Sequence, residues 1–253
     1  VYDASTSRVD QRELGFITID SKTARDFDDA VFAKSNGDGS WRVYVAIADV
    51  AHYVRPGSSI DQEAYLRGTS VYFPTHAIQM LPENLSNNLC SLKPDVNRFT
   101  LTCEMLIDST GWVQSYRIYE SLIRSRARLV YDDVAEFLDT GQTRTIRNKE
   151  ILENLIVMNE VAKALQEKRT KRGAINFNFA EQQIELDDQN QMVGVSKKFQ
   201  SSSMKLIEQF MLEANETVAK HCTGNRLPAL YRVHVSPDLS KLERLKKVFQ
   251  RFD

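Results

Sequence analysis

Residues 17–33 read ITIDSKTARDFDDAVFA, and this stretch decides how the rest of the chain is interpreted. Two apolar, extended-type flanks, Phe16–Ile19 and Ala30–Lys34, enclose Asp20, Asp26, Asp28 and Asp29. Carboxylates packed this closely repel one another unless they splay into water or a cation sits among them. Aspartate is common in solvated turns, so one D-x-D alone says little. Four aspartates threaded between flanks that read as buried say more, because buried carboxylates need cations or donors to stay ionised. An all-oxygen donor set suits a hard ion, Mg2+ or Mn2+, rather than zinc.

Three metal readings compete for the stretch. An EF-hand loop starting at Asp26 needs a ligand at its fifth position and glycine at its sixth, where the chain has Ala30 and Val31, so that reading fails. A glycosyltransferase-type D-x-D uses Asp26 and Asp28 and leaves Asp20 and Asp29 idle. Phosphoester hydrolysis assisted by one or two metal ions employs all four.

The 253 residues are 42% hydrophobic and 26% charged, a globular composition with enough chain for one large core or two small ones. No apolar run approaches the roughly 20 residues of a membrane span, and no signal peptide precedes Val1, so no membrane partner is expected. Cys90, Cys103 and Cys222 are scattered and odd in number, which suggests free thiols in a reducing compartment, with the cytoplasm as the expected location. A net charge of −1 argues against a surface coated for polyanions while leaving room for a local basic channel. The chain opens without methionine and stops within an amphipathic pattern (Leu242, Leu245, Val248, Phe249, Phe252), which reads as a piece of a longer protein.

Periodicity predicts an α+β fold: a mixed, largely antiparallel sheet with packed helices in one domain. Strands are predicted at Phe16–Ile19, from Ala30, and over the apolar run WRVYVAIADV, which follows the turn SNGDGS. A short helix over Ile60–Arg67 precedes the strand-like TSVYF and an irregular stretch from Thr75 to Asn97. The alternating residues on either side of Ser109–Gly111 form a long hairpin, and Tyr131–Leu138 a short helix. Asn148 caps a long helix burying Ile151, Leu152, Leu155, Met158, Val161, Ala162 and Leu165 and stopping at Gly173. Strands AINFNFA, QIELD and MVGVSKKF follow. A second long helix, Ser202–His221, turns Met204, Ile207, Phe210, Met211, Ala214 and Val218 inward, and ALYRVH is a strand before the last helix.

TIDSKTARDFDDAVF, followed in order by VAIADVAHYV, RGTSVYFP, MLPENLSNNLCSL, SRARLVY, RGAINF, EQFMLEANE and LYRVH, resembles the catalytic RNB domain of the ribonuclease II / ribonuclease R family, closer to its ribonuclease R branch. The resemblance covers essentially the whole chain, residues 1–253, as the N-terminal and central part of that domain. It implies a processive 3′→5′ exoribonuclease that uses Mg2+ (or Mn2+) to release nucleoside 5′-monophosphates from single-stranded RNA, acting as a monomer. It implies Asp20 and Asp29 as direct metal ligands and Asp26 as a supporting one. Asp28 becomes the carboxylate whose loss stops chemistry with little loss of RNA binding, and all four count as the metal set.

Tyr72 matches the family's tyrosine that clamps the 3′-terminal nucleotides, and Phe177 the aromatic that stacks on the terminal base. Phe73 and Phe179 are better candidates for core. Glu208 matches one acid of a pair near the substrate ribose, where a carboxylate can accept from a 2′-hydroxyl; Gln209 stands where the second is common. Arg126 and Arg128 alternate with Ser125 and Ala127, which puts both on one strand face as candidate lining of a phosphate channel. His52 and His76 have no metal-ligand spacing. The family's later H-x-T-S-P-I-R-R-Y motif does not occur before Asp253, and neither the cold-shock-like nor the S1 domain is present. The alternative is therefore a metal- and RNA-binding module without catalysis.

Overall fold

The structure, a computed structural model, describes residues 7–175 and 179–251. The chain divides into two compact units, Val1–Val218 and Ala219–Asp253. In the first, β1 (Val9–Asp10), β2 (Ile17–Asp20), β3 (Asp29–Ser35) and β4 (Trp41–Ala48) are followed by α1 (Val50–Tyr53) and α2 (Ser59–Arg67). Then come β5 (Val71–Tyr72), β6 (Ala77–Ile78), β7 (Asn97–Ile107), β8 (Val113–Arg124), β9 (Ala127–Val130), α3 (Tyr131–Thr140) and α4 (Lys149–Lys171). The ribbon β10 (Glu181–Leu186) and β11 (Met192–Lys198) precedes α5 (Ser202–Gly224), and α6 (Leu239–Phe249) lies in the second unit.

Seven strands form one sheet in the order β1-β8-β7-β4-β3-β2-β9. β1–β8 and β2–β9 are parallel and the other pairings antiparallel, so the expected mixed, largely antiparallel sheet is present. Both faces are covered. Ile17, Ile19, Val31, Val43, Val45 and Met105 pack with buried residues of α3, α4 and α5. The alternate residues Phe16, Ala30, Tyr44 and Ala46 pack with Leu85, Cys90 and Leu92. That two-sided burial is why the β4 sequence reads as a continuous apolar run.

The hairpin turn between β7 and β8 meets α4 closely. Gly111 has φ +84°, and a Cβ added there would stand 2.6 Å from the Ala164 carbonyl oxygen. Gly37 has nearly the same φ, +83°, with nothing near. Gly37→Ala is expected to cost only the backbone strain, about 1 kcal/mol. Gly111→Ala adds a backbone clash and is expected to cost about 3 kcal/mol in urea denaturation. Equal losses would mean that α4 yields freely.

Asn148 caps α4 as expected, its side chain accepting from the Glu150 and Ile151 amides. Elsewhere sequence and structure part. Of TSVYF, only Val71 and Tyr72 enter a ladder, with Ala77 and Ile78, in a separate small ribbon. The irregular stretch to Asn97 contains a π-turn at Leu85–Leu89. β10 and β11 pair with each other apart from the main sheet. Of the strand predicted at 174–180, residues 176–178 lie outside the described residues, and the flanking ones are in no strand. ALYRVH makes no strand either; β propensity alone does not hold a segment that finds no ladder partner. Phe73 and Phe179 are not core: they are 48% and 77% exposed, and Phe73 stacks on His76 at 4.9 Å.

The inward face of α5 also differs. The buried residues are Ser203, Leu206, Ile207, Gln209, Phe210, Glu213, Ala214 and Thr217, so Met204, Met211 and Val218 sit at its margins. Polar residues lie within this face because each has a partner. Ser203 Oγ donates to the Tyr131 carbonyl at 2.7 Å, Gln209 accepts from Arg169 Nη1 at 3.1 Å, and Glu213 accepts from Lys168 Nζ. Hydrophobic periodicity cannot see paired polar groups.

Candidate active site

The acidic residues sit where β2 ends and β3 begins. Asp20 closes β2, Asp29 opens β3, and residues 21–28 form the loop between them. The loop is pinned by its backbone. Ser91 Oγ donates to the Arg25 carbonyl at 2.8 Å and accepts from the Phe27 amide at 3.1 Å. The Leu92 amide donates to the Phe27 carbonyl, and the Ala48 amide to the Asp28 carbonyl, both at 2.8 Å. Phe27 is buried, so its side chain anchors the loop between Asp26 and Asp28. Ser91 is a positioning group that the sequence reading missed, and no local pattern announces it.

Burial, followed by the charge of Asp29, raises the Asp20 carboxyl from its ordinary 3.8 to about 7, against the pull of Arg128. Burial and Asp28 raise Asp29 to about 6. Asp28 is raised by burial of its carboxyl and by Asp26, although the residue as a whole keeps an exposed side. The Tyr131 phenol, at the start of α3, is pushed up to about 12 by burial and by Asp20 and Asp29. The quartet is one electrostatic unit in which each negative charge opposes the next.

The four carboxylates neighbour one another without converging. Among the described residues, no three His, Cys, Asp or Glu side chains form a group that could hold a metal ion. Bare carboxylates at these separations have reason to stay apart. Their chemistry nevertheless fits a hard divalent cation: an all-oxygen set, partly desolvated, with proton affinity raised for want of positive charge.

A pH test follows. A carboxyl whose folded-state pKa is raised favours folding while protonated, so its contribution is present below the ordinary 3.8 and is lost as pH rises through the folded value. In EDTA, the thermal midpoint is therefore expected to fall between pH 4 and pH 7. After discounting for the solvent that reaches Asp20, the loss is about 1–2 kcal/mol. Mg2+ should flatten the decline, and Asp20→Asn should flatten it without Mg2+. Identical pH profiles for wild type and Asp20→Asn would remove the buried repulsion from the account.

Across from the loop, the β5–β6 ribbon brings Tyr72 into place. Tyr72 is 66% exposed, and its hydroxyl donates to Asp26 Oδ2 at 3.2 Å. Between ribbon and loop lies a cavity of about 570 Å3, lined among others by Ser21, Arg25, Asp26, Tyr72, Phe73 and His76. An exposed aromatic face beside acidic groups can stack a base while the carboxylates, with a cation, meet its phosphate.

The other candidates are not all gathered here. Phe177 lies outside the described residues. Glu208, on α5, accepts from Gln200 and lies 3.7 Å from Arg169. Arg126 and Arg128 do not share a strand face, because the chain bends at Arg126 between β8 and β9. Arg126 Nη2 donates to the carbonyls of Arg12 and Glu13, at 3.2 and 3.4 Å, whereas Arg128 turns to the acidic loop. The isolated bridge Pro94–Ser125 interrupts the alternation that the sequence suggested.

Comparison with known proteins places the fold in a family. Residues 8–253 match the model of the RNB domain. A ribonuclease R of Vibrio parahaemolyticus is 42% identical over 241 residues, 95% of this chain and 29% of the relative's length. Solved structures are similar too. Mycoplasma genitalium RNase R in complex with double-stranded RNA matches with TM-score 0.93 and 33% identity, over 100% of this chain and 45% of that one. The same enzyme with ribose-methylated single-stranded RNA matches with TM-score 0.91 and 34% identity, over 96% of this chain and 38% of that one. The chain thus spans about a third of the curated relative it matches. With its sheet, its acidic β2–β3 loop and this extent of match, the chain belongs to the RNB domain family.

Proposed function

We propose that this chain carries the metal-binding and catalytic loop of a 3′→5′ exoribonuclease that acts on single-stranded RNA and releases nucleoside 5′-monophosphates. The observation that carries the reading is the cluster of four aspartates on one loop, three of them (Asp20, Asp28 and Asp29) raised by burial and neighbouring charge, with Asp26 and the exposed Tyr72 lining one cavity. Relatives named ribonuclease R, and solved RNase R complexes with RNA, support it.

In this reading Asp20 and Asp29 hold the cation, Mg2+ or Mn2+, with Asp26 supporting. When bound, the cation supplies positive charge against which the terminal phosphate and a water can be held. Tyr72 stacks on a 3′-terminal base, a contact indifferent to sequence. Asp28 Oδ accepts the proton of the attacking water. The water oxygen bonds to phosphorus, the bond to the neighbouring 3′-oxygen breaks, and that oxygen leaves with a proton from solvent. The product carries a 5′-phosphate.

The test is incubation of the chain with 3′-labelled single-stranded RNA in Mg2+ and in EDTA. Labelled 5′-monophosphate in Mg2+ alone is the expected result. RNA binding in Mg2+ with no release would instead assign the chain to a binding module without catalysis.

A further inference from the structure

Arg128 spends its guanidinium on the protein. Its register on β9 sets it beside Thr18 of β2, two residues before Asp20. From there Nη2 donates to the Ser21 carbonyl, the first residue after Asp20, and Cζ lies 5.4 Å over the Phe27 ring, between Asp26 and Asp28. Its Nε is shut off from solvent and has no hydrogen-bond partner among the described residues. One side chain therefore ties the start of the acidic loop to its far end. The backbone of the same Phe27 is held by Ser91 Oγ, which accepts from its amide, and by the Leu92 amide, which donates to its carbonyl.

We infer that Arg128 is a positioning residue: it clamps Ser21 to the Phe27 ring and so sets the spacing of Asp20, Asp26, Asp28 and Asp29 around their cation. The inference deepens the metal-nuclease reading and rests on it. It reassigns Arg128 from RNA contact to loop support. Planarity matters here, because a fork that donates to a carbonyl and covers an aromatic face cannot be replaced by an ammonium. Groups that orient metal ligands from behind commonly change metal affinity or activity by about 10–100-fold when altered.

The test compares wild type, Arg128→Lys and Phe27→Leu of this chain. It reads the Mg2+ concentration giving half of the metal-induced rise in thermal midpoint, the affinity for a single-stranded RNA in EDTA, and kcat and KM. In Arg128→Lys, half-saturation by Mg2+ is expected to rise about tenfold, and kcat to fall about 10–100-fold at unchanged KM. RNA affinity should stay within about twofold of wild type, since the guanidinium bonds within the protein and not to RNA. Phe27→Leu, which keeps the backbone anchors, should shift Mg2+ half-saturation the same way by a smaller factor. It carries the test if Arg128→Lys does not fold. RNA affinity weakened about tenfold in Arg128→Lys, with Mg2+ half-saturation unchanged, would make Arg128 an RNA contact and overturn the inference. Wild-type Mg2+ response in both variants would overturn it while leaving the nuclease reading intact. A wild-type chain that neither responds to Mg2+ nor cleaves would overturn the reading and the inference together.

Discussion

Asp28→Asn is expected to lower RNA cleavage about 1,000-fold while leaving RNA affinity within about threefold of wild type. The substitution swaps one oxygen for an amide nitrogen of the same size. The loop is held through its backbone, by the Ala48 amide on the Asp28 carbonyl and by Ser91 and Leu92 around Phe27, and none of those bonds involves the Asp28 side chain. Asp28 is also held against its own charge, by burial and by Asp26, so removing that charge relieves the fold. The loss must therefore fall on chemistry. In the proposed reading RNA affinity rests instead on stacking at Tyr72 and on phosphate contacts that the substitution leaves in place. Single-turnover cleavage and equilibrium binding, measured on the same preparation, separate the two. Hydrolysis at the wild-type rate would remove Asp28 from the mechanism. Binding that falls in step with cleavage would make it a substrate ligand.

The second large effect lies in the helical layer. Lys168 of α4 and Glu213 of α5 form an ion pair with side chains 4% and 5% exposed, and Lys168 Nζ lies 5.3 Å over the Trp112 ring. Desolvating two charges consumes most of what their attraction returns, so the pair itself contributes little. Breaking it strands a buried ammonium, at a cost of about 3–5 kcal/mol. Glu213→Gln is expected to lose that much in urea denaturation at neutral pH. Lys168→Met with Glu213→Leu should recover most of it, because two apolar side chains of similar length leave no charge behind. A loss below about 1 kcal/mol for Glu213→Gln would mean that water reaches the pair.

The acidic loop was legible because its signal is local: four aspartates between two apolar strands lie within one short stretch, and both flanks prove buried. The α4 stripe from Ile151 to Leu165 was legible for the same reason, since an uninterrupted apolar period has one reading. The failures have several physical causes. Glu213 is missing from the inward face that apolar periodicity gives α5, because its ion pair with Lys168 is invisible to that periodicity. Phe73 reads as core because aromatics usually are. Arg126 and Arg128 read as one face because alternation assumes an unbroken strand, and the bend at Arg126 breaks it. ALYRVH has the composition of a strand without a ladder to join. For Glu213 the deciding partner, Lys168, lies 45 residues away in the sequence.

That distance bears on the order in which the molecule becomes competent. Arg128 reaches Ser21 across 107 residues of chain, and Ser91 reaches Phe27 across 64. Contacts so remote must overcome loop-closure entropy before they return anything, and parallel pairing such as β2 with β9 is slow to form. Synthesis proceeds from the N-terminus, so the aspartates emerge well before β9 exists to clamp them. A chain interrupted short of β9 keeps the bonds from Ala48, Ser91 and Leu92 to the loop but lacks the Arg128 clamp. The acidic loop gains this clamp only once the chain has grown 107 residues past Ser21.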